Sequence, residues 1–368
     1  MITIIIYDSI SFIKLPMNDS KEITLFVDNY NSNHSDAVLL VANYLSKNHN
    51  LSAEIIISEN KQLNLKTTNK NKKEEYLVLD LDLNSKKLDF KTYFIGLIYQ
   101  AREKLGSGFP KTKIEKDIEK SLHSLSFYSE VNETKFISKN IKEISFRGDF
   151  RNLETQNNDE FLFVIVPLDK RKTFLDKDYS MEDYRKQMSQ EKKITAGAYY
   201  TIRNFSQDEI KMWFVLHSHS GNLGNWAEKA KTGDQAILWG PRSMFSPPKR
   251  FDHLILLADE TGIPAMKTIC ENNKNFSKCT TFYEVIDESS QIPTSEKNKI
   301  LENWIHREDD EPGEGHKLLE TLKAFKLPEN NFYIFGAGEA RQMMKIRKLF
   351  KEKGVSKDQM HITGYWKK

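Results

Sequence analysis

Only two cysteines, Cys270 and Cys279, occur in the 368 residues. They are too few for a disulfide scaffold, and neither belongs to a C-x-x-C pair. Both read as core or surface thiols of a reducing compartment. No apolar run approaches the roughly 18–20 residues that a membrane span requires. The opening "MITIIIYDSISFIKLP" lacks a basic start and a small-residue cleavage site, so it reads as a strand and not a leader. Charge of one sign is also missing, with 55 basic against 52 acidic residues and a formal net charge of +3. Bulk nucleic-acid binding wants a concentrated basic excess, which this balance excludes. Local basic patches for a small anion stay open. No internal repeat is visible. What remains reads as a soluble, cytoplasmic protein, expected as a monomer, with 39% hydrophobic residues and 22 Phe to build real cores.

Length predicts more than one domain, and three textures separate along the chain. Residues 1–125 carry period-2 runs, "AEIIIS", "QLNLKT" and "YLVLDLDL", bracketed by the helical stretches "SDAVLLVANYLSKN" and "FKTYFIGLIYQAREKLG". Gly106 supplies a stop for the second helix. This region reads as a small α+β domain without a catalytic constellation. Residues 126–250 look all-β, with strands at "KEISFRG", "EFLFVIVP", "GAYYTIRNF" and "IKMWFVLHSH", which predicts an antiparallel barrel or sandwich. Lys170 to Lys193 is a charged insertion, read as a surface loop or hairpin. From residue 251 to 368 strands alternate with helices: "HLILLAD", "PAMKTICENN" opened by Pro264, "TTFYEVID", "NFYIFGAG", "EARQMMKIRKLFKEKG" and "HITGYW". That alternation predicts a parallel α/β sheet of Rossmann-like type, with ligands at the carboxyl ends of its strands.

The densest signal is "LHSHSGNLGNWAEKA", Leu216 to Ala230. A metal site on His217 and His219 would need a third ligand, and no nearby Cys or carboxylate completes a usual set, so no metal is expected. The other reading is a strand running through Gly221 and Gly224 into a helix that starts near Asn225. Such a turn leaves backbone N–H groups pointing outward for an anion, and glycine lets the backbone come close to a pyrophosphate. In "AYYTIR" an aromatic ring stands beside a hydroxyl on a strand. That pair suits a flat redox-active ring system and equally suits an ordinary strand. "LLADETGIPAM" and "IFGAGEARQMM" each place a loop between an apolar strand and a helix. Gly336 and Gly338 form a shortened dinucleotide fingerprint.

Taken in order, these segments resemble the siderophore-interacting protein family, a branch of the ferredoxin-reductase-like flavoproteins, from about Thr134 to the end. The matching pieces are "YTIR" (Tyr200, Thr201, Arg203), "HSHSGNLGNWA" with Trp226, and "GPRSMF" (Gly240, Pro241, Arg242). "DETGIPA" (Asp259 to Ala265), "GEA" (Gly338, Glu339, Ala340) and the terminal "GYW" (Gly364, Tyr365, Trp366) follow. The resemblance implies an FAD-binding barrel over 126–250 followed by an NAD(P)-binding domain over 251–368. Tyr200 and Thr201 would lie against the isoalloxazine. Arg203, His217, Gly221, Asn222, Leu223, Asn225, Trp226 and Ala227 would hold the rest of the FAD, and Trp366 would sit near the ring. Asp259, Glu260, Thr261, Gly262, Gly338, Glu339 and Ala340 would face NADPH or NADH. Two positions depart from the family pattern. Ala198 replaces an arginine that neutralises flavin phosphate, with Arg203 or Lys229 the nearby basic replacements, and Gly221-Asn222-Leu223 replaces Gly-Pro-Ala. Residues 1–125 are faintly similar to a small domain of unknown function found with this family.

The implied activity is reduction of ferric siderophores in the cytoplasm. A hydride passes from NAD(P)H to FAD, then single electrons pass to Fe(III), releasing Fe(II). The cofactor carries this chemistry, so no acid–base dyad is expected. Reduced ferredoxin is the alternative donor. Because ferric siderophores are often anionic, Arg242 is the first substrate candidate, with Lys249, Arg250 and His361 after it. Two other readings stand beside this one: a non-reducing carrier of ferric siderophore, and a flavin reductase serving a protein acceptor.

Overall fold

The computed structural model describes residues 20–46, 49–58, 63–79, 90–116, 125–155, 158–169, 175, 177–188, 193–216, 221–273, 275–294, 300–329 and 331–368. The strand expected at 1–16, and His217 and His219, lie outside the described residues. The chain divides into two compact units, Met1–His123 and Ser124–Lys368.

In the first unit, α1 (Ser20–Asn33) and α2 (Ser35–Ser46) precede an antiparallel sheet, and α3 (Phe90–Leu105) follows it. The sheet runs β1 (Asn50–Ile57), β2 (Leu63–Asn69), β3 (Glu74–Val78) in that order. Alternate residues of β2, Leu63, Leu65 and Thr67, are buried, as a sheet with one covered face requires. Val38 and Val41 of α2 and Phe94 and Ile98 of α3 share one core with Ile55 and Leu65. Gly106, at φ +62°, takes the left-handed conformation that ends α3 without a Cβ penalty. This is the expected α+β arrangement.

In the second unit six strands close into an antiparallel barrel in the order β4-β5-β8-β7-β6-β9. They are β4 (Leu125–Phe136), β5 (Ile141–Gly148), β6 (Phe161–Pro167), β7 (Thr195–Phe205), β8 (Glu209–Val215) and β9 (Gln235–Arg242). Leu162, Val164 and Val166 of β6 meet Ile144, Phe146, Met212 and Phe214 in the interior. All seven residues of β6 are buried, because its outward side chains are covered as well. Phe163 and Ile165 pack with Trp239 and with Tyr184 of α4 (Met181–Met188). The Lys170–Lys193 insertion, expected as a loop or hairpin, therefore carries a helix that shields the barrel wall. After β8 the chain enters α5 (Asn222–Lys229), three residues earlier than the sequence suggested.

The remaining strands are β10 (His253–Ala258), β11 (Lys278–Val285), β12 (Ile300–His306), β13 (Phe332–Glu339) and β14 (Met360–Trp366). All are parallel, in the order β12-β11-β10-β13-β14. Consecutive residues of β10 serve opposite faces. Leu254 and Leu256 join Met266 and Ile269 of α6 (Ile263–Asn272). Ile255 and Leu257 join Leu322 of α7 (Lys317–Ala324) and Met343, Ile346 and Phe350 of α8 (Ala340–Glu352). A strand buried on both faces reads as a continuous apolar run, and "HLILLA" is one. The two thiols are core residues that touch, with Cys270 Sγ 3.6 Å from Cys279 Sγ. The order reverses between β10 and β13, and such a reversal opens a crevice beyond the strands' carboxyl ends.

Candidate functional site

Two structures converge on the chemistry: a bare helix terminus beside the barrel, and the carboxyl edge of the sheet at its switch point. Helix α5 starts from Gly221 with no side-chain cap. The first-turn amides of Asn222, Leu223 and Gly224 have no intrahelical acceptor and take no side-chain cap among the described residues. A Cβ built on Gly221 would meet nothing within 4 Å among the described residues, which leave the approach open. The other end of the helix is clamped. Lys142 of β5, itself buried, donates from Nζ to the carbonyls of Ala227 (2.9 Å), Glu228 (3.0 Å) and Ala230 (3.3 Å). A cation at a helix carboxyl terminus satisfies its carbonyls and complements the dipole. The inner face of α5 is fixed by Trp226, whose ring lies parallel to Phe146 at 6.4 Å. Trp226 Nε1 is buried with no hydrogen-bond partner among the described residues. Unclaimed amides, an open approach and an orphaned donor fit a phosphate-bearing cofactor such as FAD.

Tyr200 and Thr201 lie on β7 at the same wall. The Tyr200 ring packs on Phe214 at 4.0 Å, and burial holds its hydroxyl well above the usual phenol range. It stays a neutral hydrogen-bonding group at physiological pH. Ala198 packs against the same barrel core. Arg203 is placed differently from its expected role. Its guanidinium lies 4.3 Å over the Trp213 ring. Its Nη1 donates to Thr268 Oγ1 (2.6 Å), and its Nη2 alone donates to both carboxylate oxygens of Glu271 (3.0 and 2.8 Å) on α6. This arginine joins the barrel to α6, and its charge is answered by a carboxylate.

At the sheet, Asp259 is a junction. Its Oδ1 accepts from Thr261 N (2.8 Å) and Thr261 Oγ1 (2.5 Å). Its Oδ2 accepts from Glu339 N (2.8 Å) and Trp366 Nε1 (2.8 Å). One buried carboxylate thus ties together the ends of β10, β13 and β14. Gly338 makes this approach sterically feasible, since a Cβ there would lie 2.9 Å from Asp259 Oδ2. Glu260 accepts from Asn140 Nδ2 (2.7 Å) in the β4–β5 turn and pairs with Arg307 at 2.6 Å, both side chains almost fully buried. Glu339 caps α8 by accepting from Gln342 N (2.8 Å). The side chains of Asp259 and Glu260 are therefore engaged within the protein. Thr261, Gly262 and Ala340 surround the switch point with them.

The structure does not gather the expected substrate residues. Arg242 lies over the Trp239 ring (4.7 Å) and the Tyr199 ring (5.6 Å) near the end of β9. Lys249 and Arg250 are exposed but precede β10, at the amino end of the sheet. His361 is the second residue of β14, stacked on Phe335 at 5.7 Å. Those three lie at the end of the strands opposite to Asp259 and Glu339, because every strand runs the same way. Sequence reading also missed Lys142, which reads as an outward residue of an alternating strand. It missed Glu284 and Gln342 as well, which join β11 to α8 at 3.1–3.2 Å. Neither carried a motif.

Residues 130–245 match the siderophore-interacting FAD-binding domain, and residues 251–368 match the siderophore-interacting protein. From residue 130 to its end, the chain belongs to the siderophore-interacting protein family. Barrel and parallel sheet together form the ferredoxin-reductase-like fold of these proteins. Ferric vibriobactin reductase ViuB of Vibrio cholerae is 27% identical over 175 residues, 46% of this chain and 64% of that protein. The NADPH-dependent ferric-chelate reductase of Escherichia coli is 20% identical over 161 residues, 43% of this chain and 61% of that one. The chain thus spans less than two thirds of the length of each of these curated relatives. A siderophore utilization protein from T. fusca, 26% identical, superposes with a TM-score of 0.58 over 67% of this chain and 94% of its own.

Proposed function

We propose that this siderophore-interacting protein is an FAD-dependent, NAD(P)H-driven ferric-siderophore reductase, a monomer that releases Fe(II) in the cytoplasm. The observation that carries this reading is the bare amino end of α5 beside β7, held in place from behind by Lys142. The names of the ferric reductases to which it is similar support the same activity. A bound FAD supplies hydride acceptance and one-electron release.

The chain's own residues supply position and electrostatics. The first-turn amides of α5 would hold the pyrophosphate, and Trp226 Nε1 offers one more donor. Tyr200 and Thr201 would line the ring. The loops Asp259–Gly262 and Gly338–Ala340 would seat the nicotinamide nucleotide at the switch point, through backbone and through Thr261, since Asp259 and Glu260 are already engaged. Arg242 remains the cation to place beside an anionic ferric chelate. Among the described residues no helix is long and apolar enough to cross a membrane. Reduction weakens the hold of hard oxygen donors on iron, so electron delivery loosens the complex and release follows.

Ala198, in place of a phosphate-neutralising arginine, favours one competing reading, a ferric-siderophore carrier without flavin. Titration of the purified protein with FAD separates the two, followed by anaerobic assay with NADH, NADPH and reduced ferredoxin against several ferric siderophores, with Fe(II) trapped. Reduction that requires FAD supports the reductase. Protein that neither binds FAD nor reduces any ferric chelate, yet binds the chelate, overturns it in favour of the carrier.

A further inference from the structure

On one side of the switch point, carboxylates lie within and just beyond the strand ends. In dinucleotide-binding sheets the adenine ribose lies near the end of a strand neighbouring the first βα turn. There an acidic group suits a free 2′-hydroxyl, and an arginine suits a 2′-phosphate. Here that neighbour is β11, with β12 beyond it. β11 ends at Glu284 and Val285, followed by Asp287, some 20 to 30 residues past the Asp259 turn as that geometry expects.

The cation at the end of β12, Arg307, is only 4% exposed and spends its charge on Glu260 at 2.6 Å. From Glu308 to Lys317 the chain reads "EDDEPGEGHK", five carboxylates against one lysine. That lysine, Lys317, pairs with Glu308 at 3.1 Å, and Lys368 from the end of the chain pairs with Glu314 at 3.0 Å and Glu311 at 3.7 Å, so the exposed Asp309 and Asp310 carry the segment's unpaired charge among the described residues. This segment is folded onto the carboxyl edge of the sheet. Gln342 Nε2 donates to both Glu284 and the Gly315 carbonyl (3.3 Å). A Cβ on Gly313 would lie 2.5 Å from Glu339 Cγ. Glu339 Oε1, on a side chain 1% exposed, is buried without a partner among the described residues. It is an acceptor facing the same loop. Arg341 belongs to α8, which follows β13 on the other side of β10 from β11 and β12.

We propose that the donor site selects NADH over NADPH, the acidic 308–314 segment and the neutralised Arg307 rejecting a 2′-phosphate; this rests on the reductase reading above. A dianionic phosphate brought against like charges loses affinity, and wrong partners are rejected in this way. NADH differs only in presenting a hydroxyl, which carboxylates accept as a donor.

The test is calorimetric titration of the FAD-loaded protein with NADH and NADPH, and with AMP and adenosine 2′,5′-bisphosphate as fragments. NADPH is expected to bind at least about tenfold more weakly than NADH, and the bisphosphate more weakly than AMP. Raising salt from about 0.05 M to about 0.5 M should narrow the ratio, and so should Asp309→Asn combined with Asp310→Asn in a variant that melts like the parent. An NADPH affinity equal to or above that for NADH overturns the inference and leaves the reductase reading standing. A preference for NADH that neither salt nor the double variant moves overturns its assignment to the acidic segment. Failure of both dinucleotides to bind overturns the donor site itself, and the inference with it.

Discussion

Replacing Asp259 with asparagine tests the junction at the sheet's carboxyl edge. The carboxylate serves four donors with two oxygens, whereas an amide turns one oxygen into an NH2 that faces two donors whichever way it lies. The cheaper orientation points the amide at Thr261, whose hydroxyl can rotate and accept from it. Only the Thr261 N–H is then orphaned, while Glu339 N and Trp366 Nε1 keep their acceptor. One part-buried donor without a partner costs about 1–3 kcal/mol. Asp259→Ala releases all four donors and should cost more, about 3–5 kcal/mol after partial hydration. Urea unfolding gives the free energies, and hydrogen exchange locates them. In the asparagine variant the Thr261 amide should exchange faster while Glu339 keeps its protection. An alanine variant within about 0.5 kcal/mol of the parent, the usual scatter of a surface substitution, would refute the assignment of Asp259 as the tie between β10, β13 and β14.

Asn222→Glu places a negative charge in the first turn of α5, where it favours the helix dipole but repels a phosphate; FAD affinity should fall about tenfold or more by absorbance titration, with the melting temperature unchanged or raised. Lys142→Met leaves the carbonyls of Ala227, Glu228 and Ala230 without their donor, and urea unfolding should show a loss of about 2–4 kcal/mol. Arg203→Leu breaks the ion pair with Glu271 and the stack on Trp213; with Glu271 partly exposed the expected loss is about 1–3 kcal/mol, and Arg203→Lys should recover only part of it. Burial, reinforced by the charge of Asp259 against the opposing pull of Gln342 and Arg307, pushes the Glu284 carboxyl up to about 7. A folded-state value above the unfolded one contributes stability that is complete below the unfolded pKa and lost as pH rises through about 7, up to about 3 kcal/mol. Unfolding free energy should therefore fall between pH 5 and pH 8, to which Asp159, raised to about 6 mainly by burial, adds in the same direction. Glu284→Gln should flatten the profile, and an unchanged slope in that variant counts against the placement of Glu284.

Much of the architecture was legible because burial leaves periodic marks. The apolar runs at β6, β10 and β13 announce strands covered on both sides, and "HSGNLGNWA" announces a glycine turn into a helix. Other features leave no such mark. Met181–Met188 is polar enough to read as solvent-exposed, and only Phe163 and Tyr199 on the barrel wall reveal why it is helical. Within the candidate site the segments were recognisable but the partners were not. Asp259 and Glu260 look like nucleotide ligands in sequence because acidic residues at strand ends often are. That Trp366 and Arg307 consume them depends on contacts 107 and 47 residues away. Lys249 and Arg250 were attractive as charges, but strand direction, which periodicity cannot convey, puts them at the end of the sheet opposite to Asp259 and Glu339.

The two polar anchors between barrel and sheet, Asn140–Glu260–Arg307 and Arg203–Glu271, bear on turnover. Enzymes that clamp their reactants by hinge bending need a seam that parts cheaply, and parting this one would strip Asn140 from the buried Glu260 and Arg203 from the partly exposed Glu271. On the reductase reading, reactants should therefore come and go across a cleft of constant width, so viscosity and ligand size, more than any gating motion, would set the pace of each cycle.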